Sequence, residues 1–345
     1  MEKKVVTFGE IMMRLSTPGN QRFAQARSFD SIYGGSEANV AISLSNLGVP
    51  ADYITRLPSN ELGDACINYL RQFGVGTDKI ARGGDRLGIY FLEIGAAQRG
   101  NKVIYDRAYS SIATIKPDMI DWDKVFAEAC WFHWTGITPA LSKDAADTCM
   151  AAVKAAKKRG LTVSCDLNYR GKLWKWGKQA GEVMSDMMQY VDLLVGNEED
   201  AEKVFGVRAP GVDVSKGVVD AQSYSFVTKE LMKKFPNLKQ IAFALRGSIN
   251  ASHNTWSAVL YDGMTLYKAP VYDITHIVDR IGAGDSFSAG LIYGMLKFEK
   301  SLQKSLDFGV AISCLKHTIP GDSAIVKLDE VEELMKGVMS GRISR

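Results

Sequence analysis

The chain has 345 residues, 46% hydrophobic and 23% charged, with a formal net charge of +3. That length can bury a large core and suggests about two domains. The near balance of charge gives no electrostatic case for nucleic acid or a membrane surface, and no apolar run reaches the ~18 residues of a membrane span. Five scattered cysteines (Cys66, Cys130, Cys149, Cys165 and Cys314), odd in number, argue against a disulfide or zinc framework, so a reduced cytoplasmic enzyme without export signal is expected.

In chain order, Val5–Phe8 reads as a buried strand, 37–47 as a helix, 52–56 as a strand and 63–73 as a helix. Strands follow at 131–134, 162–166, 193–196, 240–245 and 258–261, with an Ala-rich helix at 143–159 and a short one at 201–205. This alternation predicts an α/β fold, a doubly wound and mostly parallel sheet with helices on both faces. Two segments break the rhythm, 11–33 and 87–111, and read as strands of a separate small sheet. The α/β domain would then comprise 1–10, 34–86 and 112–345. In parallel sheets of this kind ligands gather at the C-terminal strand ends.

The most informative segment is Asp279-Arg280-Ile281-Gly282-Ala283-Gly284-Asp285, followed at once by an apolar, small-residue helix pattern. Two glycines allow a tight turn that brings consecutive N–H groups to an anion, and the helix start adds roughly half a positive charge. An acidic side chain at such a mouth repels a phosphate but serves as a base. Asp285 could accept the proton of a substrate hydroxyl attacking a nucleotide's terminal phosphate. The plainer alternative is a loop with a helix-capping Asp.

A second signal lies at Gly34-Gly35-Ser36-Glu37-Ala38-Asn39, opening another helix pattern that closes near Leu47-Gly48. Together with the distant Gly-Ala-Gly-Asp, it resembles the paired signatures of the PfkB (ribokinase-like) carbohydrate kinase family over nearly the whole chain. That resemblance implies a ribokinase-like fold in which 11–33 and 87–111 form a β lid over the sugar. Relatives pair lid to lid, and Ile89 and Phe91 would allow a homo-oligomer of that kind.

Substrate class is read from the same segments. Tyr105 and Arg107 share a strand face, Tyr90 can lie opposite in a hairpin, and Asp166-Leu167-Asn168-Tyr169-Arg170 follows a strand that delivers Arg170 to the same sheet edge. Two guanidinium forks over one pocket suit a carboxylate or phosphate, unless both arginines are surface or ion-pair groups. Gly34, Tyr90, Tyr105, Arg107, Arg170 and Asp285 fall on the substrate pattern of 2-keto-3-deoxygluconate kinases within that family, with Gly35 and Asn39 from the first signature. The resemblance therefore implies ATP-dependent phosphorylation of a sugar acid at its terminal hydroxyl, with Gly282, Ala283 and Gly284 as the anion hole. The alternatives are a kinase for a neutral ketose or a stereoisomeric keto-acid, and a non-catalytic sugar or nucleotide sensor.

On the nucleotide side, Asn197-Glu198-Glu199-Asp200 is similar to a family element that positions magnesium through water, with Asp200 in the Glu position; an ordinary helix-start acid is the equal alternative. Arg246-Gly247-Ser248 is expected to end a strand, with Gly247 and Ser248 near phosphate. Asp279 and the carbonyl of Ile281 fall where several relatives hold potassium, or else Asp279 only caps the loop.

Overall fold

The computed structural model describes residues 4–209, 221–298 and 301–338. Its main sheet runs, from one edge, Leu266–Lys268, His253–Tyr261, Gln240–Asn250, Leu193–Gly196, Thr162–Asp166, Ala129–Thr135, Lys4–Phe8 and Ala51–Ile54, with Tyr272–Ile274 also paired to His253–Tyr261. The six strands from Gln240–Asn250 to Ala51–Ile54 are parallel, and every pairing made by His253–Tyr261 beyond them is antiparallel. This is the expected α/β architecture.

Strand alternation sends successive side chains into two separate cores. Val5, Trp131, Leu193, Val195 and Ala242 join one core, with helices Ser36–Asn46, Ala283–Lys297 and Leu302–Lys316. Val6, Phe8, Phe132, Leu194, Ile241 and Phe243 join the other, with helix Lys143–Lys158. A sheet buried on both faces needs continuous apolar strands, which is why Val5–Phe8 shows no polar alternation beyond Thr7. Thr7 is tolerated because its hydroxyl donates to the Glu37 carbonyl at 2.8 Å.

The second sheet has four strands in the order Asp30–Gly34, Met12–Ser16, Ile89–Glu93 and Lys102–Asp106, drawn from the two segments that broke the αβ rhythm. Ile89–Glu93 and Lys102–Asp106 form a hairpin that places Tyr90 opposite Tyr105. Ile89 and Phe91, expected to be available to a second copy, are only partly exposed, and Phe91 packs edge-on against Phe29. The more open apolar residues are Val103 and Ile104 on the outer strand.

One strand runs further than expected. Gln240–Asn250 continues past Leu245 because the antiparallel partner His253–Tyr261 runs alongside it to the hairpin end, so Gly247 pairs with Thr255 inside a hairpin.

Candidate active site

A cleft of about 710 Å³ opens at the C-terminal ends of the parallel strands, between the main sheet and the small one. Two helix N-termini face it. The helix Ala283–Lys297 starts from Gly282 at φ 81°, and no side chain caps it. Its first-turn amides have no acceptor inside the helix, so an anion in the cleft can take them. Gly282 is required twice over: its left-handed φ disfavours other residues, and a Cβ there would stand 1.6 Å from the Asp322 carbonyl oxygen. The helix Ser36–Asn46 also lacks a side-chain cap, and Gly34, Gly35 and Ser36 line the cleft beside it.

Asp285 stands in the first turn of the former helix, almost fully buried. Its Oδ2 accepts from Asn39 Nδ2 at 2.7 Å, and its Oδ1 accepts a short bond from the Ser36 hydroxyl. Ser36 Oγ in turn accepts from Asn168 Nδ2 at 2.9 Å, and Asn168 holds a left-handed φ of 37°. Burial pushes the Asp285 carboxyl up to about 6 against the opposing pull of the Ser36 and Asn39 hydrogen bonds; Asp322 adds to the rise and Arg170 opposes it. A carboxylate fixed by two donors and poised near neutrality is suited to accept a proton.

A family model described as pfkB family carbohydrate kinase matches residues 2–327. The chain belongs to the pfkB family of carbohydrate kinases. Among solved structures, it is similar to a 2-dehydro-3-deoxygluconokinase from Thermotoga maritima, 49% identical, with a TM-score of 0.92 over 97% of this chain and 100% of that one. Among curated proteins, it is 33% identical to a 2-dehydro-3-deoxygalactonokinase of Haloferax volcanii over 99% of both chains. It is 28% identical to a 2-dehydro-3-deoxygluconokinase of Thermoproteus tenax, over 97% of this chain and 94% of that one.

In this pfkB kinase the expected site residues mostly meet in the cleft, but not all as anticipated. Gly34, Gly35, Asn39, Tyr90, Tyr105, Arg107, Arg170, Asn197, Asp200, Ser248 and the 281–285 loop line it. Gly247 does not. Strand alternation turns Ala244, Arg246 and Ser248 to the cleft and Gly247 away, where a Cβ would meet Thr255 Oγ1 at 2.3 Å. Ser248 therefore reaches the cleft from a strand and not from a glycine loop.

The two arginines do not form one clamp of free cations. Arg107 is buried, its Nε donates to Glu10 Oε2 at 2.7 Å, its Nη2 makes a second bond to the same oxygen, and its guanidinium lies 5.4 Å from the Tyr105 ring centroid. Arg170 is exposed, and its charge opposes, without overcoming, the rise that burial imposes on Asp166, Asp200 and Asp285. Asn39, expected as a substrate contact, spends its amide on Asp285 and is 2% exposed.

Asp200 is buried, and Asn197 caps its helix by accepting from the Asp200 N–H at 2.8 Å. Asp200 Oδ1 accepts from Tyr169 N–H at 3.1 Å, while burial pushes its carboxyl up to about 6. Asp166 is raised well above the ordinary range by burial and by Asp200. Glu37 is a further buried acid, raised to about 7 by burial although Thr135 and Thr138 donate to its Oε1.

Several cleft residues lay outside the sequence expectations. Arg246 and Arg280 add positive charge near the anion hole, and Arg280 is anchored by donating to the carbonyls of Asn250 and Ala251 at 3.0 and 2.8 Å. Trp256 and His317 meet edge to face at 5.2 Å and form an aromatic wall. Asp322, buried beneath Gly34, accepts from the Tyr90 hydroxyl.

Proposed function

We propose that this kinase transfers the terminal phosphoryl group of ATP to the terminal hydroxyl of 2-keto-3-deoxygluconate, giving 2-keto-3-deoxy-6-phosphogluconate. The observation that carries this reading is the meeting, in one cleft, of a buried base at an uncapped helix start with the Arg107, Tyr90 and Tyr105 face of the small sheet. The similarity to a 2-dehydro-3-deoxygluconokinase at 49% identity supports the substrate class.

Asp285 takes the proton of the hydroxyl as that oxygen bonds to the γ-phosphorus, and the bond from phosphorus to the β,γ-bridging oxygen breaks to release ADP. Amides of Gly282, Ala283 and Gly284 receive the charge on the transferring group. Arg170, already beside Asp285, faces this reacting end, and Arg246 and Arg280 face the polyphosphate. The sugar-acid carboxylate lies at the far end against Arg107 and Tyr105, and the small sheet acts as a lid that excludes water.

Magnesium fits the donor set, because Asp200, Asp166 and Glu199 line the cleft with the hard oxygens it prefers. Among the described residues no three His, Cys, Asp or Glu groups converge on a preformed ion cage. Asp200 would therefore hold the ion through water, with the rest of its shell from the nucleotide; bound there, it offsets polyphosphate charge.

The deciding measurement is ADP release from Mg-ATP with 2-keto-3-deoxygluconate, its galactonate epimer, fructose and ribose. Strong preference for the keto-acids is expected, and the ratio between the epimers chooses between the two kinds of relative. Preference for a neutral sugar would overturn the substrate assignment and leave Asp285 in place.

Arg107→Ala is expected to raise KM for the sugar acid by about tenfold or more, as for loss of a charge-assisted hydrogen bond, and to leave KM for ATP unchanged. Since that change abandons the buried Glu10, the pair Arg107→Met with Glu10→Gln keeps the site neutral and separates lost affinity from lost folding. An unchanged KM for the sugar acid in both variants would remove Arg107 from its carboxylate role.

A further inference from the structure

Beneath the anion hole lies a buried block of four charges. Arg14, from the small-sheet strand Met12–Ser16, donates through Nη2 to Asp279 Oδ2 and through Nη1 to Asp322 Oδ1, each at 2.5 Å. The fourth charge is Lys316, in the last turn of helix Leu302–Lys316 and 0% exposed. Its Nζ donates to the carbonyl oxygens of Asp279 and Ile319, both at 3.1 Å. Two cations and two carboxylates balance.

A monovalent ion at Asp279 and Ile281, as the family resemblance implied, does not fit this arrangement. Such an ion needs oxygens with lone pairs to give, and every oxygen of Asp279 already accepts at least one hydrogen bond. Oδ1 accepts from Ile281 N–H at 3.0 Å, Oδ2 from Arg14 and from Gly321 N–H at 3.2 Å, and the main-chain oxygen from Lys316. A third positive charge would also enter beside two fixed ones in a low-dielectric site.

We propose that Lys316, seconded by Arg14, is a tethered internal cation that performs the bracing role of a free monovalent ion, so that turnover requires none. The ammonium ties the loop 279–282, which leads into the anion hole, to the loop 319–322, whose Asp322 carbonyl packs on Gly282. Lys316 is thus a positioning residue for the anion hole; it does not line the cleft.

The test uses the full chain freed of potassium, ammonium and sodium and held in choline chloride at constant ionic strength. Turnover and thermal midpoint are measured with and without added potassium or ammonium. The wild-type protein is expected to give equal turnover and an equal midpoint in choline and in potassium. Lys316→Ala, which opens a cation-sized gap, is expected to lose about tenfold or more of its turnover in choline, on the scale of a disturbed anion hole, and to regain it saturably with potassium or ammonium. Its midpoint should rise with the same ions.

Strong stimulation of the wild-type protein by potassium would overturn the proposal, as would a folded Lys316→Ala variant as active as wild type in choline. Should that variant fail to fold, the wild-type comparison decides alone. The turnover arm rests on the sugar-acid kinase reading. The thermal arm needs no substrate, so a wrong sugar assignment silences the first and leaves the second decisive.

Discussion

Asp285→Asn is expected to lower kcat by about a thousandfold, inside the hundred- to ten-thousandfold span for loss of a positioned general base. Binding of sugar and nucleotide should persist, since the amide has the same shape and still accepts from Ser36. Its own N–H₂ group now faces Asn39 Nδ2, so one of the two present hydrogen bonds is lost. Against that stands a gain. Burial holds the Asp285 carboxyl near 6, above the ordinary value near 4, so the ionised group costs stability at neutral pH, and the amide removes that cost. The thermal midpoint of the variant should therefore stay close to the wild-type value or exceed it. Near-normal turnover in a folded variant would remove Asp285 from the base role.

The same carboxyl sets the acid limb of the pH profile. The base works only when ionised, so kcat/KM is expected to fall about tenfold per pH unit below a break near 6, the value to which burial raises Asp285 in the free protein. The limb should vanish in Asp285→Asn. A break that survives the substitution would assign the limb to another buried acid such as Asp200, which burial also raises to about 6.

How much of this was legible in the sequence depended on range. The glycine pairs at 34–35 and 282–284 announce themselves locally, because each stands directly before an apolar helix, and both do open helices onto the cleft. The alternation of Tyr105 with Tyr90 across a hairpin follows from strand geometry alone. The strand Gln240–Asn250 was cut short because Gly247 reads as a turn residue, while its partner strand, distant in pattern though near in sequence, keeps it extended.

Helix Leu302–Lys316 had no visible stripe since it is buried nearly all round, leaving no 3.6-residue alternation of apolar and polar positions to find. The pairing of Glu10 with Arg107, and of Arg14 with Asp322, joins residues 97 and 308 positions apart. Each charge alone reads as surface, and only the fold makes them partners. The expectation of a free guanidinium failed at Arg107 for that reason: a buried Arg acquires an acid from elsewhere in the chain, since an unpaired one would not be tolerated, whereas Arg170 is exposed.

That principle gives the largest expected effect on stability. Arg14→Met should destabilise the protein by about 3–5 kcal/mol, the cost of removing one partner from a buried ion pair, measured by urea unfolding at pH 8. Arg14 and both its acids are nearly inaccessible, with side-chain exposures of 3%, 2% and 4% for Arg14, Asp279 and Asp322. Water cannot replace the lost guanidinium there, and Lys316 bonds the Asp279 main chain and not either carboxylate. Asp322, already held above the ordinary carboxylate range by burial with Arg14 opposing the rise, would take up a proton more readily once Arg14 is gone. The penalty should thus shrink as the pH falls, since protonation relieves the abandoned charge. The double change Arg14→Met with Asp322→Asn should cost less than the sum of the two single changes, because the two residues share one interaction. Additive losses, or a penalty under about 1 kcal/mol of the kind seen for exposed pairs, would mean that the cluster does not hold the small sheet to the anion-hole loop. If the penalty is large, the same bonds that fold the protein also set the distance between the sugar-binding face and the base, and kcat should fall with stability even where the variant remains folded.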